Sequence, residues 1–234
     1  RAFAEERARV WPFLEIRALL ESRGVRVPRL HAEACERGLL LVEDLGETLA
    51  ERLERSPEQR GELYRRAAVD LAGAQLRLEP LPAGSVVLER SFDAKLLGWE
   101  LEHFWEWAIA ARGRSVAPRA DFERGARFLI DTLAALPRGF VHRDYQSRNL
   151  MVRGDGAELE LGWIDFQDAL LGPRAYDLVA LLCDSYQPFE RTFVEARLDD
   201  YASARGLSAT ERTALGREFD LVTVQRKLKD AGRF

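Results

Sequence analysis

Apolar residues recur along this chain mostly at spacings of three and four, the signature of helices with one buried face. From Glu5 to Ser22 the pattern runs through Val10, Phe13, Leu14, Ala18 and Leu19. It predicts a helix whose main part opens at Pro12, because proline suits a first turn, and that stops at Gly24. After Val25–Leu30, the run Leu39-Leu40-Leu41-Val42 predicts a strand, closed by Glu43-Asp44-Leu45-Gly46. Ser56-Pro57-Glu58-Gln59 predicts a capped helix start, with the helix reaching Leu78 through Leu63, Tyr64, Ala67, Leu71 and Ala74. Ser91 is the expected cap of a helix over Phe92–Arg112 that carries Trp99, Phe104, Trp105 and Trp107. Further helices are expected over Asp121–Leu136, Leu178–Cys183 and Pro188–Gly206. The last opens with the capping box Ser208-Ala209-Thr210-Glu211 and reaches Lys229.

One stretch breaks this helical rhythm. Phe140-Val141 lead into a polar loop, His142 to Asn149, which leaves as the strand Leu150-Met151-Val152. Gly154-Asp155-Gly156 follows, then a second β-prone run from Glu158 to Phe166. Asp-Gly between two such runs predicts a hairpin. The hairpin brings Asp165 back beside Asn149, so that Asp144, Asn149 and Asp165 converge. Phosphoryl transfer needs such a set: hard oxygen donors for Mg²⁺, and a separate carboxylate for the proton of the attacking hydroxyl. Asp144 and Asn149 have the spacing of the kinase loop H-R-D-x-x-x-x-N, and Asp165-Phe166-Gln167 stands where a kinase has D-F-G. The plainer reading of each residue alone is a turn position.

Three blocks carry a resemblance: V-H-R-D-Y-Q-S-R-N-L-M from Val141, I-D-F-Q-D-A from Ile164, and G-P-R-A-Y-D-L from Gly172. Together they resemble the aminoglycoside phosphotransferase and choline kinase branch of the protein-kinase-like fold. They look most like the anomeric kinases of N-acetylmuramate and N-acetylglucosamine. The similarity runs from about Phe13 to Phe234. It implies an α+β fold, with residues 1–46 as a truncated N-terminal nucleotide lobe and 47–234 as a mainly α-helical C-lobe. It implies ATP and Mg²⁺ as cofactors and a small-molecule sugar as partner.

By the same resemblance, Asp144 is the base or orienter, and Asn149 and Asp165 hold the metal. Adenine is expected on backbone groups near Glu43 and Leu45. Glu15, with Glu21 as its rival, is the expected helix glutamate that pairs with a phosphate-binding lysine; a solvated helical glutamate is the alternative. Arg148 reaches phosphate or substrate, or is a solvated loop cation. Asp177 braces the loop, His142 is structural, and Asp168 holds substrate or caps a turn. No G-x-G-x-x-G occurs and the first lysine is Lys95, so the nucleotide lobe is expected to be incomplete, and the chain to be cut at both ends.

The dozen positions from Asp165 to Asp177 leave no room for an activation loop, which disfavours a protein kinase. Other acceptors (an aminoglycoside, a choline-like amine, homoserine) and a non-catalytic binding module stay open. The aromatic helix is expected to pack in the core. Its alternative is a wall against a sugar ring, with Glu100, Glu102, His103 and Glu106 bonding hydroxyls.

Composition changes little in this picture. With 47% hydrophobic and 32% charged residues, the chain can build an ordinary core. A net charge of −4 points to no nucleic-acid partner. Cys35 and Cys183 lack metal or disulfide spacing and suit a reducing compartment. No apolar run is long enough to span a bilayer, so a cytoplasmic protein is expected.

Overall fold

A computed structural model describes residues 11–114, 118–184 and 188–232. The part of the first predicted helix before Trp11 lies outside the described residues. Helix α1, Pro12–Ser22, has its proline in the first turn and buries Ile16, Leu19 and Leu20. Strands β1, Leu30–Ala34, and β2, Leu39–Val42, form an antiparallel pair extended by Glu43 N–H donating to Arg29 O (2.8 Å).

The next two elements, β3 (Glu47–Thr48) and α2 (Leu49–Arg55), have no counterpart in the predicted set. Thr48 caps α2 in a full capping box with Glu51. That T-x-x-E signal is present in the chain. Its neighbour corrects another expectation: Ser56 makes no side-chain cap. Its N–H donates to Arg52 O (2.8 Å) and so ends α2. Pro57–Gln59 form one 3₁₀ turn, and α3 proper runs over Arg60–Leu78.

Helix α3 is the axis of the larger part. Leu63, Tyr64, Ala67, Ala68, Leu71 and Leu78 line its buried face. Two polar side chains on it tie distant segments together. The Asp70 carboxylate accepts from Trp163 Nε1 (2.7 Å) and from the Tyr145 hydroxyl (3.3 Å). The buried Gln75 amide donates to Phe140 O (3.3 Å) and Arg174 O (3.2 Å), and its oxygen accepts from the Tyr201 hydroxyl.

A short helix α4, Val86–Glu89, precedes α5, Ala94–Phe104, which continues as a π-helical turn over Trp105–Ala110. Asp93, not Ser91, is its cap, accepting the Leu96 N–H (2.8 Å). Ser91 and Phe92 are drawn away from the helix because they bridge to Leu171, Phe92 N–H donating to Leu171 O (3.0 Å). After α6, Arg119–Ala134, strand β4, Arg138–Val141, pairs antiparallel with β7, Leu170–Pro173. Strands β5, Leu150–Arg153, and β6, Glu160–Trp163, form the predicted hairpin, with β3 on its outer edge. Strand β6 is shorter than the Glu158–Phe166 expected, since Gly156–Glu158 make a 3₁₀ turn. Helices α7, Tyr176–Leu182, α8, Arg191–Ala204, and α9, Ala209–Ala231, complete the chain. The Ser208/Glu211 capping box opens α9 as expected.

The core-packing expectation for the aromatic helix holds only in part. Leu97, Glu100 and Leu101 form its inner face, while Trp99 and Trp107 are 62% and 50% exposed. They flank His103, at ring distances of 5.4 and 5.9 Å. Among the described residues no helix is long and apolar enough to cross a membrane.

Gly172 sits where β7 passes under Phe92. A Cβ there would lie 2.7 Å from the Phe92 ring and 3.1 Å from Val141 Cγ2. Gly172→Ala is therefore expected to destabilise the protein by about 1–3 kcal/mol through overpacking. Urea unfolding measures this, and an unchanged midpoint would contradict so close an approach.

Candidate active site

Strand β4 delivers the chain into the loop, and the first residue of the loop is sealed in the core. His142 is fully buried among Tyr145 and Trp163, edge-on to both rings. Among the described residues neither ring nitrogen has a partner in full hydrogen-bond geometry. The ring is structural as expected, held chiefly by packing. Burial lowers its pKa to about 4, against the pull of Asp144 and Asp165, so the ring is neutral at pH 7.

Asp177, in the first turn of α7, accepts the N–H of His142 (2.7 Å) and of Arg143 (3.0 Å). It thus braces the loop backbone in the way the resemblance implied. Burial pushes its carboxyl up to about 7, against those two N–H groups and Arg226. The brace matters because Arg143 has φ +78°, a left-handed conformation that costs a non-glycine residue energy.

Asn149 and Asp165 meet side chain to side chain, and Asp144 joins them through its main-chain carbonyl. Asn149 Nδ2 donates to Asp144 O (2.8 Å) and lies 3.3 Å from Asp165 Oδ2. The hairpin makes this meeting: Ile164 N–H donates to Asn149 O (3.1 Å), just beyond the paired strands. Asp165 lies past the end of β6, at φ +62°, and its other oxygen accepts from Gln167 Nε2 (2.6 Å). Phe166 turns inward and stacks on Phe13 of α1 at 5.1 Å, which links the first helix to this turn. Ser147 Oγ donates to Asp184 (3.0 Å) and pins the middle of the loop.

The Asp144 carboxylate is partly buried. Burial works to raise its pKa, but Arg226, Lys229, His142 and Arg143 together outweigh it and hold the group below the usual carboxylate value. Asp144 is therefore ionised at neutral pH.

The residues expected around a nucleotide are more scattered. Glu43 is held by Arg26 in a two-pronged pair (2.5 and 3.0 Å) and also accepts the Arg29 N–H (3.1 Å). These contacts bring its carboxyl down to about 2. Leu45 is buried, and a Cβ built on Gly162 would lie 2.8 Å from its Cδ1, so this segment lies against β6. Glu15 was expected to face a lysine. Its carboxylate instead accepts the Val86 N–H (2.6 Å), because α1 packs on the start of α4. Its rival Glu21 pairs with Arg17 (2.9 Å). Arg148 and Asp168 are both exposed. Of the residues proposed to bond sugar hydroxyls, Glu100 is buried and Glu102 pairs with Arg119 (2.5 Å). Among the described residues no group of three His, Cys, Asp or Glu could hold a metal, so a cation here would rest on one carboxylate and one amide.

The sequence reading passed over α9. Arg226 Nη1 donates to Arg143 O (2.8 Å), and its Nη2 lies 3.5 Å from Asp144 Oδ1. Gln225 Nε2 donates to Glu100 (2.5 Å), and Lys229 Nζ donates to the Tyr176 hydroxyl (3.1 Å). The signal was available: three long polar side chains lie on the inner side of one helical turn. Buried groups of this kind call for partners.

Comparison with known proteins fits this geometry. The family model described as "Phosphotransferase enzyme family" matches residues 1–215. The chain belongs to the phosphotransferase enzyme family. This phosphotransferase-family chain is 37% identical over 233 residues to an N-acetylmuramate/N-acetylglucosamine kinase of Pseudomonas putida, covering 95% of this chain and 65% of that protein. A kinase of the same name from Neisseria meningitidis serogroup B is 34% identical, covering 96% and 67%. The chain thus spans about two thirds of the length of these curated relatives. Its fold is that of aminoglycoside 2'-phosphotransferase-IIIa, solved as a GDP complex, at TM-score 0.64 and 16% identity over 93% of this chain and 72% of that one. A Plasmodium vivax ethanolamine kinase superposes at TM-score 0.58 and 15% identity, over 93% of this chain and 63% of that one. The kinase-like α+β expectation holds in both.

The buried imidazole gives a pH prediction. His142 has a folded pKa of about 4, below its unfolded value, so its stability contribution is lost as pH falls through the window between the two. From pH 7 to pH 5 this amounts to about 2 kcal/mol. Asp177, raised in the folded state, contributes the opposite slope below pH 7 and is common to wild type and variant. His142→Leu should therefore remove about 2 kcal/mol of acid sensitivity, read as the difference between denaturant curves at the two pH values. Equal pH slopes in both proteins would place the imidazole in water.

Proposed function

We propose that this chain is the greater part of an ATP-dependent kinase that phosphorylates a hydroxyl of an amino sugar. The acceptor is the anomeric hydroxyl of N-acetylmuramate or N-acetylglucosamine. The observation that carries this reading is the meeting of Asn149 and Asp165, 3.3 Å apart, over the main chain of Asp144. The names of the relatives supply the sugar, and the resemblance of the three sequence blocks supplies its anomeric position. In this reading the nucleotide lobe lies within residues 1–46 and the helical lobe within 47–234.

In this reading Asp144 accepts or orients the proton of the sugar hydroxyl, and it is ionised at neutral pH, as either task requires. The hard oxygens of Asn149 and Asp165 fit Mg²⁺, which neutralises phosphate charge when bound. Gln167 steadies one Asp165 oxygen and leaves the other toward Asn149. The backbone of residues 43–46 offers the edge for adenine. Arg148, exposed beside Asn149 in the loop, is the outer contact of the nucleotide site. The rest of catalysis is positioning. The two free cysteines accord with a cytoplasmic enzyme.

The charge around the base favours a sugar over a polycation. Arg143, Arg226 and Lys229 all act on Asp144. These cations would oppose a polycation approaching the base, and they offset the Asp144 carboxylate for a neutral acceptor.

An acceptor panel with ATP and Mg²⁺, read by ATP consumption, tests the assignment. N-acetylmuramate and N-acetylglucosamine should turn over; choline, homoserine and kanamycin should not. Asp144→Asn should lower turnover by about 10²- to 10⁴-fold with ATP affinity kept. Turnover at the wild-type rate would remove Asp144 from its role.

A further inference from the structure

The donors around the Asp144 carboxylate are lopsided. Every protein hydrogen bond to it, among the described residues, goes to one oxygen. Gln146 Nε2 reaches Oδ1 at 3.3 Å, and Arg226 Nη2 reaches the same atom at 3.5 Å. The side chain keeps 38% of its surface open. A carboxylate held by one oxygen presents the other, with its lone pairs directed outward, to whatever approaches.

Arg226 does more than touch that oxygen. Its second nitrogen, Nη1, donates to the carbonyl of Arg143, the residue before the base (2.8 Å). The peptide between Arg143 and Asp144 is thus gripped from α9, at a residue whose φ is +78°. Asp177 holds the Arg143 N–H on the other side, at 3.0 Å. A left-handed arginine persists only where its surroundings over-determine it. The planar fork of a guanidinium suits two acceptors at once, which an ammonium cannot match.

The guanidinium is itself fixed. It is only 4% exposed and lies 5.1 Å over the Tyr176 ring, whose hydroxyl accepts from Lys229 Nζ (3.1 Å). One turn of α9 therefore carries a buried cation with a rigid seat, aimed at the loop that bears the base. A buried arginine without such work would be a costly residue in a helix.

We infer that Arg226 is a positioning residue: it fixes the Arg143–Asp144 peptide and occupies Asp144 Oδ1, so that Oδ2 faces the acceptor hydroxyl. This rests on the reading of Asp144 as base or orienter. The contribution appears in the chemical step and not in nucleotide binding, since Arg226 reaches neither Asn149 Oδ1 nor Asp165 among the described residues.

The test compares Arg226→Ala, Arg226→Lys and Asp144→Asn in the intact protein, with kcat, the KM for ATP, the melting midpoint and rescue by added guanidinium. Arg226→Ala should lose about 100-fold in kcat with the KM for ATP nearly unchanged. Guanidinium should restore about tenfold in that variant and nothing in wild type. Arg226→Lys keeps the charge and most of the volume but cannot bridge both acceptors. It should lose about tenfold in kcat at the wild-type melting midpoint, and it decides the matter should the alanine variant not fold. Wild-type kcat in Arg226→Lys overturns the inference, as does a loss in Arg226→Ala that guanidinium leaves untouched. If Asp144→Asn is inactive while the Arg226 variants keep full kcat, only this inference fails. If Asp144→Asn keeps full kcat, the reading of the base fails and takes this one with it.

Discussion

The Asn149 amide ties together two stretches of chain that the β5–β6 hairpin brings side by side. One of its contacts is the main chain of Asp144, and the other is the carboxylate of Asp165. Neither position is free to drift. Asn149 is the last residue before β5, and Asp165 stands two residues past β6, so the hairpin register sets their separation. A slip of one residue would turn the inner side chains of β5 and β6 outward, and the buried Trp163 forbids that. The site is thus a consequence of sheet register held by core packing.

That packing reaches back to α3. Asp70 holds Trp163 of the hairpin and Tyr145 of the loop through one carboxylate, and Gln75 holds β4 and the segment before α7. Asp177 then takes the N–H groups of the loop backbone, and Arg226 takes the Arg143 carbonyl. Side chains of α7 and α9 fix one left-handed residue ahead of Asp144, on a frame that α3 holds. Such bracing keeps a loop precise without making it part of a helix or strand. Electrostatics follow from the same arrangement: cations from α9 and the loop outweigh burial at Asp144, while the carboxylate of Asp177, wrapped in the core, rises.

Local signals were legible where local physics decides. The helix over Pro12–Ser22, the hairpin, and the capping box at Ser208 followed from periodicity, turn chemistry and caps. So did the meeting of Asp144, Asn149 and Asp165, because kinase-loop spacing plus a hairpin leaves little choice. The errors arose where two neighbours competed. Ser56 looked like a cap but closes the helix before it, and Ser91 was claimed by β7 before it could serve α5. Trp99 and Trp107 were assigned to the core because they are aromatic, yet Glu100 holds the inner face beside Gln225 and Arg143. Glu15 bonds a backbone N–H of α4, a partner 71 residues away that no spacing rule reveals. Arg226 was missed for the same reason: its partners lie 82 and 83 residues upstream.

The central claim is that Asn149 and Asp165 share one divalent cation at a nucleotide. Calorimetric titration of a non-transferable ATP analogue, with and without Mg²⁺, into wild type and Asp165→Asn tests it most directly. The account predicts that Mg²⁺ tightens binding to wild type by tenfold or more and has no such effect on the variant, whose metal-free affinity stays at the wild-type level. An equal Mg²⁺ enhancement in both proteins would contradict it.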